Sequence, residues 1–150
     1  YLVTTVERQS WDAYFLHIAS MVATRSKDPS TKVGAVLTIG KDLLACGYNG
    51  FPRGLNDTLP ERQQREVKYK LTVHAEENAL LNCVRRGGAS TIGTTMYVTA
   101  LFPCVSCALS MVQCGVKRVV VNGVNNPRWV VEATQAKLLL TEAGIEVVEL

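Results

Sequence analysis

The sequence predicts a layered α/β fold in which an antiparallel hairpin flanks a sheet of about five strands. Three observations predict it. A one-sided helical stretch is followed by two short apolar runs joined by "GKD". From residue 95 onward, strand-like and helix-like segments alternate. The helical segments after residue 74 stop at glycines.

Each element has a local reason. "SWDAYFLHIASMVATR", residues 10–25, places apolar residues at 11, 14, 15, 18, 21 and 22, a helical spacing with Ser10 as N-cap. After the turn "SKDPS" come "KVGAVLTI" and "LLACGYN", read as a β-hairpin. Residues 51–70 break the pattern: "FPRGLNDTLP" is turn-rich and "ERQQREVKYK" is polar, so a long surface loop with a short exposed helix is expected. A helix from His74 to Arg86 ends at Gly87 and Gly88. Then "TMYVTA" reads as a strand, "CVSCALSMVQCG" as a helix, "KRVVVNG" as a strand, "VVEATQAKLLLTEAG" as a helix and "IEVVEL" as a last strand.

Composition narrows the function classes. At 150 residues the chain is expected to form a single domain, 1–150. Hydrophobic residues make up 47% and charged residues 19%, and no apolar run reaches the roughly eighteen residues of a membrane span. The net charge of +3 suits anionic small molecules, but the basic residues are dispersed, which argues against nucleic-acid binding as the main activity. Five cysteines, an odd number without scaffold spacing, suit a reducing cytoplasm, and no secretory signal is read ahead of the domain.

The chemistry lies in "HAEENALLNCV" and "FPCVSC". Cys104 and Cys107 are three apart at a helix start, so their sulfurs share one face of its first turn, and Pro103 suits an abrupt entry from a strand. The helix N-terminus favours thiolates. His74 heads another helix, and such helix starts gather at the carboxyl ends of sheet strands. One imidazole and two thiolates form a zinc-selective set of three that leaves a fourth tetrahedral position open for water. Glu76 lies roughly 200° around the helix from His74, so the two cooperate only by reaching past the helix end. Alone, a CxxC is as readily a redox pair or part of a structural zinc site, and an HxE arises by chance in helices. Jointly, H-x-E and P-C-x-x-C form the signature of zinc-dependent nucleobase deaminases, with Glu76 as the proton carrier. His17, on the apolar side of the first helix, is expected to be a core or interface histidine, and Cys46, Cys83 and Cys114 small core residues.

With these motifs located, the chain resembles the deoxycytidylate deaminase family of the cytidine deaminase superfamily. "RSKDPSTKVGAVL", "GYNGFPRG", "HAEENAL", "LFPCVSCA" and "LLLTEAGIEV" carry the resemblance, over residues 10–148. It implies a three-layer α/β/α sandwich with a mixed five-stranded sheet, and one Zn2+ on His74, Cys104 and Cys107. It further implies hydrolysis of dCMP to dUMP and ammonia, supplying dUMP for thymidylate synthesis, with Glu76 shuttling protons. Asn49 would contact the sugar hydroxyl and the backbone amide of Ala75 the base carbonyl, although Asn49 in "YNG" also suits a plain turn.

For the phosphate, Arg25, Ser26 and Lys27 are the expected contacts, though they equally suit a solvated helix end. Arg53, Arg62, Arg65, Lys68 and Lys70 are further candidates. Trp129 is expected to stack on the base or to anchor the last helix.

Relatives are often homohexamers regulated by dCTP and dTTP, with Mg2+ accompanying the triphosphate. "LNDT" after "GYNGFPRG" departs from the family's usual residues, which sets regulation in question. "YVTALFPC" is one residue longer than usual before Cys104, so a local bulge that keeps the ligands in place is expected. The rival readings are the same chemistry on dCTP or free deoxycytidine, a nucleic-acid base deaminase, and a regulatory nucleotide-binding module with structural zinc.

Overall fold

A computed structural model describes residues 7–122 and 126–150. The end of "KRVVVNG" at Gly123 and the first asparagine of "NNPR" lie outside the described residues. The helices are α1 (Trp11–Ala23), α2 (Arg65–Leu71), α3 (Ala75–Arg85), α4 (Val105–Cys114) and α5 (Val130–Glu142). The strands are β1 (Gly34–Ile39), β2 (Asp42–Tyr48), β3 (Thr95–Val98), β4 (Arg118–Val121) and β5 (Glu146–Glu149). They form one mixed sheet in the order β2-β1-β3-β4-β5. β1 is antiparallel to both β2 and β3, whereas β3, β4 and β5 run parallel.

Period-two alternation sorts the strand side chains into two cores. Ala35, Leu37, Met96, Val98, Val119 and Val121 face α3, α4 and α5, while Val36, Tyr97 and Val120 face α1. The sandwich therefore has three layers, with α1 the one helix on its face among the described residues. Ser10 caps α1 by accepting the Ala13 N–H at 3.1 Å. Asp12, in its first turn, grips Arg118 with two hydrogen bonds, at 2.8 and 2.6 Å, and accepts the Tyr97 hydroxyl at 2.7 Å. One carboxylate thus ties α1 to β3 and β4. His17 is not the core histidine that was one of its two expected roles: it is exposed and pairs with Gln9 at 2.9 Å, because the buried stripe of α1 runs through Phe15, Leu16 and Ala19 instead.

Two glycines set how closely helices approach the sheet. A Cβ on Gly34 would lie 1.9 Å from the Ala19 carbonyl oxygen of α1, and one on Gly47 would lie 2.5 Å from the Ala79 nitrogen of α3. Only glycine permits both contacts. Asn78 and Asn82 then reach from α3 to the Tyr48 and Cys46 carbonyls of the edge strand β2, each at 2.8 Å.

The excursion after β2 is closed at its base, where Gly50 and Val73 exchange backbone hydrogen bonds at 3.1 and 2.8 Å. It carries a 3₁₀ turn, Pro60–Gln63, and then α2. Between β3 and Cys104, Ala100 has a φ of 76°, the one left-handed value outside glycine among the described residues.

Candidate active site

The site lies at the carboxyl ends of β3 and β4, beside the amino end of β1, where Ala35 pairs with Val98. Chains leaving β3 and β4 enter α4 and α5 there, and the start of α3 meets them. His74 is the N-cap of α3 and Cys104 the N-cap of α4, so both candidate donor side chains project past a helix end. Cys107, one turn into α4, donates its N–H to the Cys104 sulfur at 3.4 Å. The His74 Nδ1 stands 3.3 Å from the Cys104 Sγ and 3.4 Å from the Cys107 Sγ, and all three donors fall within 4.8 Å of one another.

These distances fit a tetrahedral ion. Zn–S and Zn–N bonds of ordinary length put sulfur and nitrogen about 3.6 Å apart across a tetrahedral edge. The protonation of the donors carries the same message. Hydrogen bonding from Cys107 and His74 pulls the Cys104 thiol down to about 4, while its bond to Cys104, followed by burial, pushes the Cys107 thiol up. Cys104 in turn raises His74 to about 9. Protons gathered among these donors are what a divalent cation displaces when it binds.

Glu76 is only 4% exposed and lines the same cavity as His74 and Cys104. Burial raises its pKa, against the lowering pull of the Cys107 thiol and the His74 charge. A carboxyl whose affinity for a proton is raised in this way is suited to passing one between water and a bound base. The cavity measures about 630 Å³, within the range of small-molecule sites. Ala75, fully buried at the first helical position of α3, lines it too; N–H groups of a first helical turn have no partner within their own helix.

The other expected contacts divide. Asn49 lines the cavity, but its amide is already engaged, accepting the Val33 N–H and donating to the Thr31 carbonyl, both at 2.9 Å. Trp129 lines the wall formed by the start of α5, with Arg128 over its ring at 5.1 Å. Arg25, Ser26 and Lys27 do not line it. Ser26 is buried and donates to the Asn49 carbonyl, Lys27 pairs with Asp57 at 2.9 Å, and Arg25 stays in solvent where α1 ends. The chain turns after Ser26, so residues 28–31 face the cavity in their place.

The cations that do line the cavity are Arg65, Lys68 and Arg128. Lys68 pairs with Asp28 at 3.1 Å, and Arg128 lies 3.4 Å from the Tyr69 hydroxyl. Arg65 and Lys68 are two of the five further candidates read from the sequence, and the other three, Arg53, Arg62 and Lys70, do not line the cavity. Arg128 and Glu132 carried no signal, because a single charge at a helix start fits any surface helix.

A sheet whose helix starts converge on a His/Cys/Cys donor set and a buried carboxyl defines a metal-dependent enzyme that activates water. Residues 9–122 match the family model of the cytidine and deoxycytidylate deaminase zinc-binding region. The chain belongs to that zinc-binding deaminase family. It is 40% identical over 141 residues to the deoxycytidylate deaminase of Mus musculus, covering 90% of this chain and 76% of the relative. An uncharacterized deaminase of the luxG 3' region of Aliivibrio fischeri is 36% identical over 140 residues, with 91% of each chain covered. The dCMP deaminase of cyanophage S-TIM5, solved with dCMP and dUMP, superposes with a TM-score of 0.75 at 25% identity, covering 92% of this chain and 95% of that one. No helix among the described residues is long and apolar enough to cross a membrane.

Proposed function

We propose that this enzyme hydrolyses dCMP to dUMP and ammonia. The observation that carries the reading is a buried carboxyl, Glu76, in one cavity with His74 and Cys104 of the donor set. His74, Cys104 and Cys107 would hold zinc, which when bound would supply the Lewis-acid chemistry that makes water nucleophilic near neutral pH. Glu76 takes the proton that water gives up on attacking the ring carbon bearing the amine, and delivers it to the ring nitrogen. It then carries the second proton to the departing amine, so ammonia leaves and a carbonyl remains. The Ala75 N–H meets the base carbonyl, the free Nδ2 hydrogen of Asn49 meets the sugar hydroxyl, and Trp129 flanks the base. Arg65, Lys68 and Arg128, rather than residues 25–27, face the phosphate.

Ammonia release from dCMP tests the reading. Glu76→Gln, with zinc retained, is expected to lower turnover by about 10²-fold or more; undiminished turnover removes Glu76 from the mechanism. Three cations on one rim also favour a second reading, in which dCTP is accepted, and parallel rates on dCMP, dCTP and deoxycytidine decide between them.

The family resemblance extends the proposal to a cytoplasmic homohexamer with dCTP and dTTP as effectors and Mg2+ accompanying them. Exposed Leu81 and Val84 on α3 and Leu109 on α4 suit contacts between copies. Light scattering with and without dCTP tests assembly and response together.

A further inference from the structure

Glu132 stands in the first turn of α5, where a carboxylate ordinarily serves its own helix dipole. Its Oε1 instead accepts the N–H of Val105, at 2.9 Å, in the neighbouring helix α4. Val105 directly follows the ligand Cys104 and opens α4. The N–H groups at the start of a helix have no intrahelical acceptor. In α4, that of Cys107 goes to the Cys104 sulfur and that of Val105 goes to Glu132. The turn carrying both sulfurs is therefore pinned at two points, one of them from outside its own helix.

Electrostatics cuts both ways at this placement, because a carboxylate suits the amino ends of both α4 and α5. A carboxylate near two sulfurs that must ionise opposes their ionisation and offsets part of the helix field that favours thiolates. What Glu132 gains there is geometric: it joins α5, which begins at the cavity wall with Trp129, to the turn that presents the metal donors.

We propose that Glu132 is a positioning residue of the metal centre, holding the Cys104–Val105 turn so that both sulfurs face the His74 Nδ1. Its reach as an acceptor, not its charge, does this. The inference rests on the zinc reading above, so zinc binding by the unaltered protein is measured first; its failure would count against that reading and not against the role of Glu132.

Three variants separate reach from charge. Glu132→Gln keeps an acceptor oxygen at the same distance, Glu132→Asp keeps the charge one methylene short, and Glu132→Ala removes both. Zinc affinity is read by chelator competition and donor geometry by the visible spectrum of the cobalt-substituted protein. The Ala and Asp variants are expected to lose about 10- to 100-fold in zinc affinity and to alter the cobalt bands, as loss of an outer partner typically does. The Gln variant is expected to keep both. If the Ala variant does not fold, Asp against Gln carries the comparison. Wild-type affinity and spectrum in the Asp variant, or a Gln variant as weak as the Asp variant, would overturn the proposal.

Discussion

Replacing Gly47 with alanine puts a methyl group into the contact between β2 and α3. The new Cβ would lie 2.5 Å from the Ala79 nitrogen, 2.6 Å from the Ala75 oxygen and 2.7 Å from the Asn78 Cβ, whereas ordinary contact begins at 3.4 Å. Two of these atoms are backbone and cannot rotate away, so α3 must withdraw by roughly 0.7–0.9 Å. The Asn78 and Asn82 bonds to β2, each now 2.8 Å, would stretch to about 3.6 Å and cease to be hydrogen bonds. Two such bonds at about 1 kcal/mol each, with overpacking strain of about 1–3 kcal/mol, give a destabilisation of about 3–5 kcal/mol.

The same movement shifts Ala75 and the His74 cap relative to α4, which carries Cys104 and Cys107. A separation of about 3.6 Å is what the tetrahedral edge tolerates, so zinc affinity falls and kcat/KM for dCMP drops by about 10²-fold. Gly34→Ala is the control, because its Cβ would strike α1 on the opposite face of the sheet. It should destabilise at least as much while leaving zinc affinity in the folded fraction unchanged. Urea unfolding, chelator competition and steady-state rates, taken where both variants are folded, read the three quantities. Wild-type zinc affinity in Gly47→Ala, or equal zinc loss in both variants, would refute the reasoning.

Asp12→Asn should destabilise by about 2 kcal/mol at neutral pH, since it breaks charged hydrogen bonds to Arg118 and leaves the buried Tyr97 hydroxyl a poorer partner. Arg118, opposed by burial, holds the Asp12 carboxyl below its ordinary 3.8. A pKa depressed on folding contributes stability that is full above the unfolded value and is lost as pH falls through the folded one, so the gap between wild type and variant should close in acid; a gap that stays constant in acid denaturation series contradicts this. Lys68→Met should raise KM for dCMP roughly tenfold and leave KM for deoxycytidine unchanged, whereas Lys27→Met should alter neither. Equal effects of the two lysines in steady-state kinetics would return the phosphate to residues 25–27.

Most of what the structure shows locally, His17 apart, is legible in the sequence. Helix and strand periodicities, the Ser10 cap and the stop at Gly115 depend on neighbours a few residues away, and so does the pairing of Cys104 with Cys107. Those signals, with the family motifs, determined the sheet, the helices and the candidate donor set. Tertiary structure alone decided which charges meet. Asp12 finds Tyr97 and Arg118 at separations of 85 and 106 residues, and Glu132 finds Val105 across 27. No local spacing encodes such partners. It also turned the polar run 61–70 back over the site, so that Lys68 faces the cavity while Lys27, the nearer in sequence to β1, points to Asp57. Long cationic side chains on a turning backbone have their direction set by what packs beneath them, and that is known only once the chain has closed on itself.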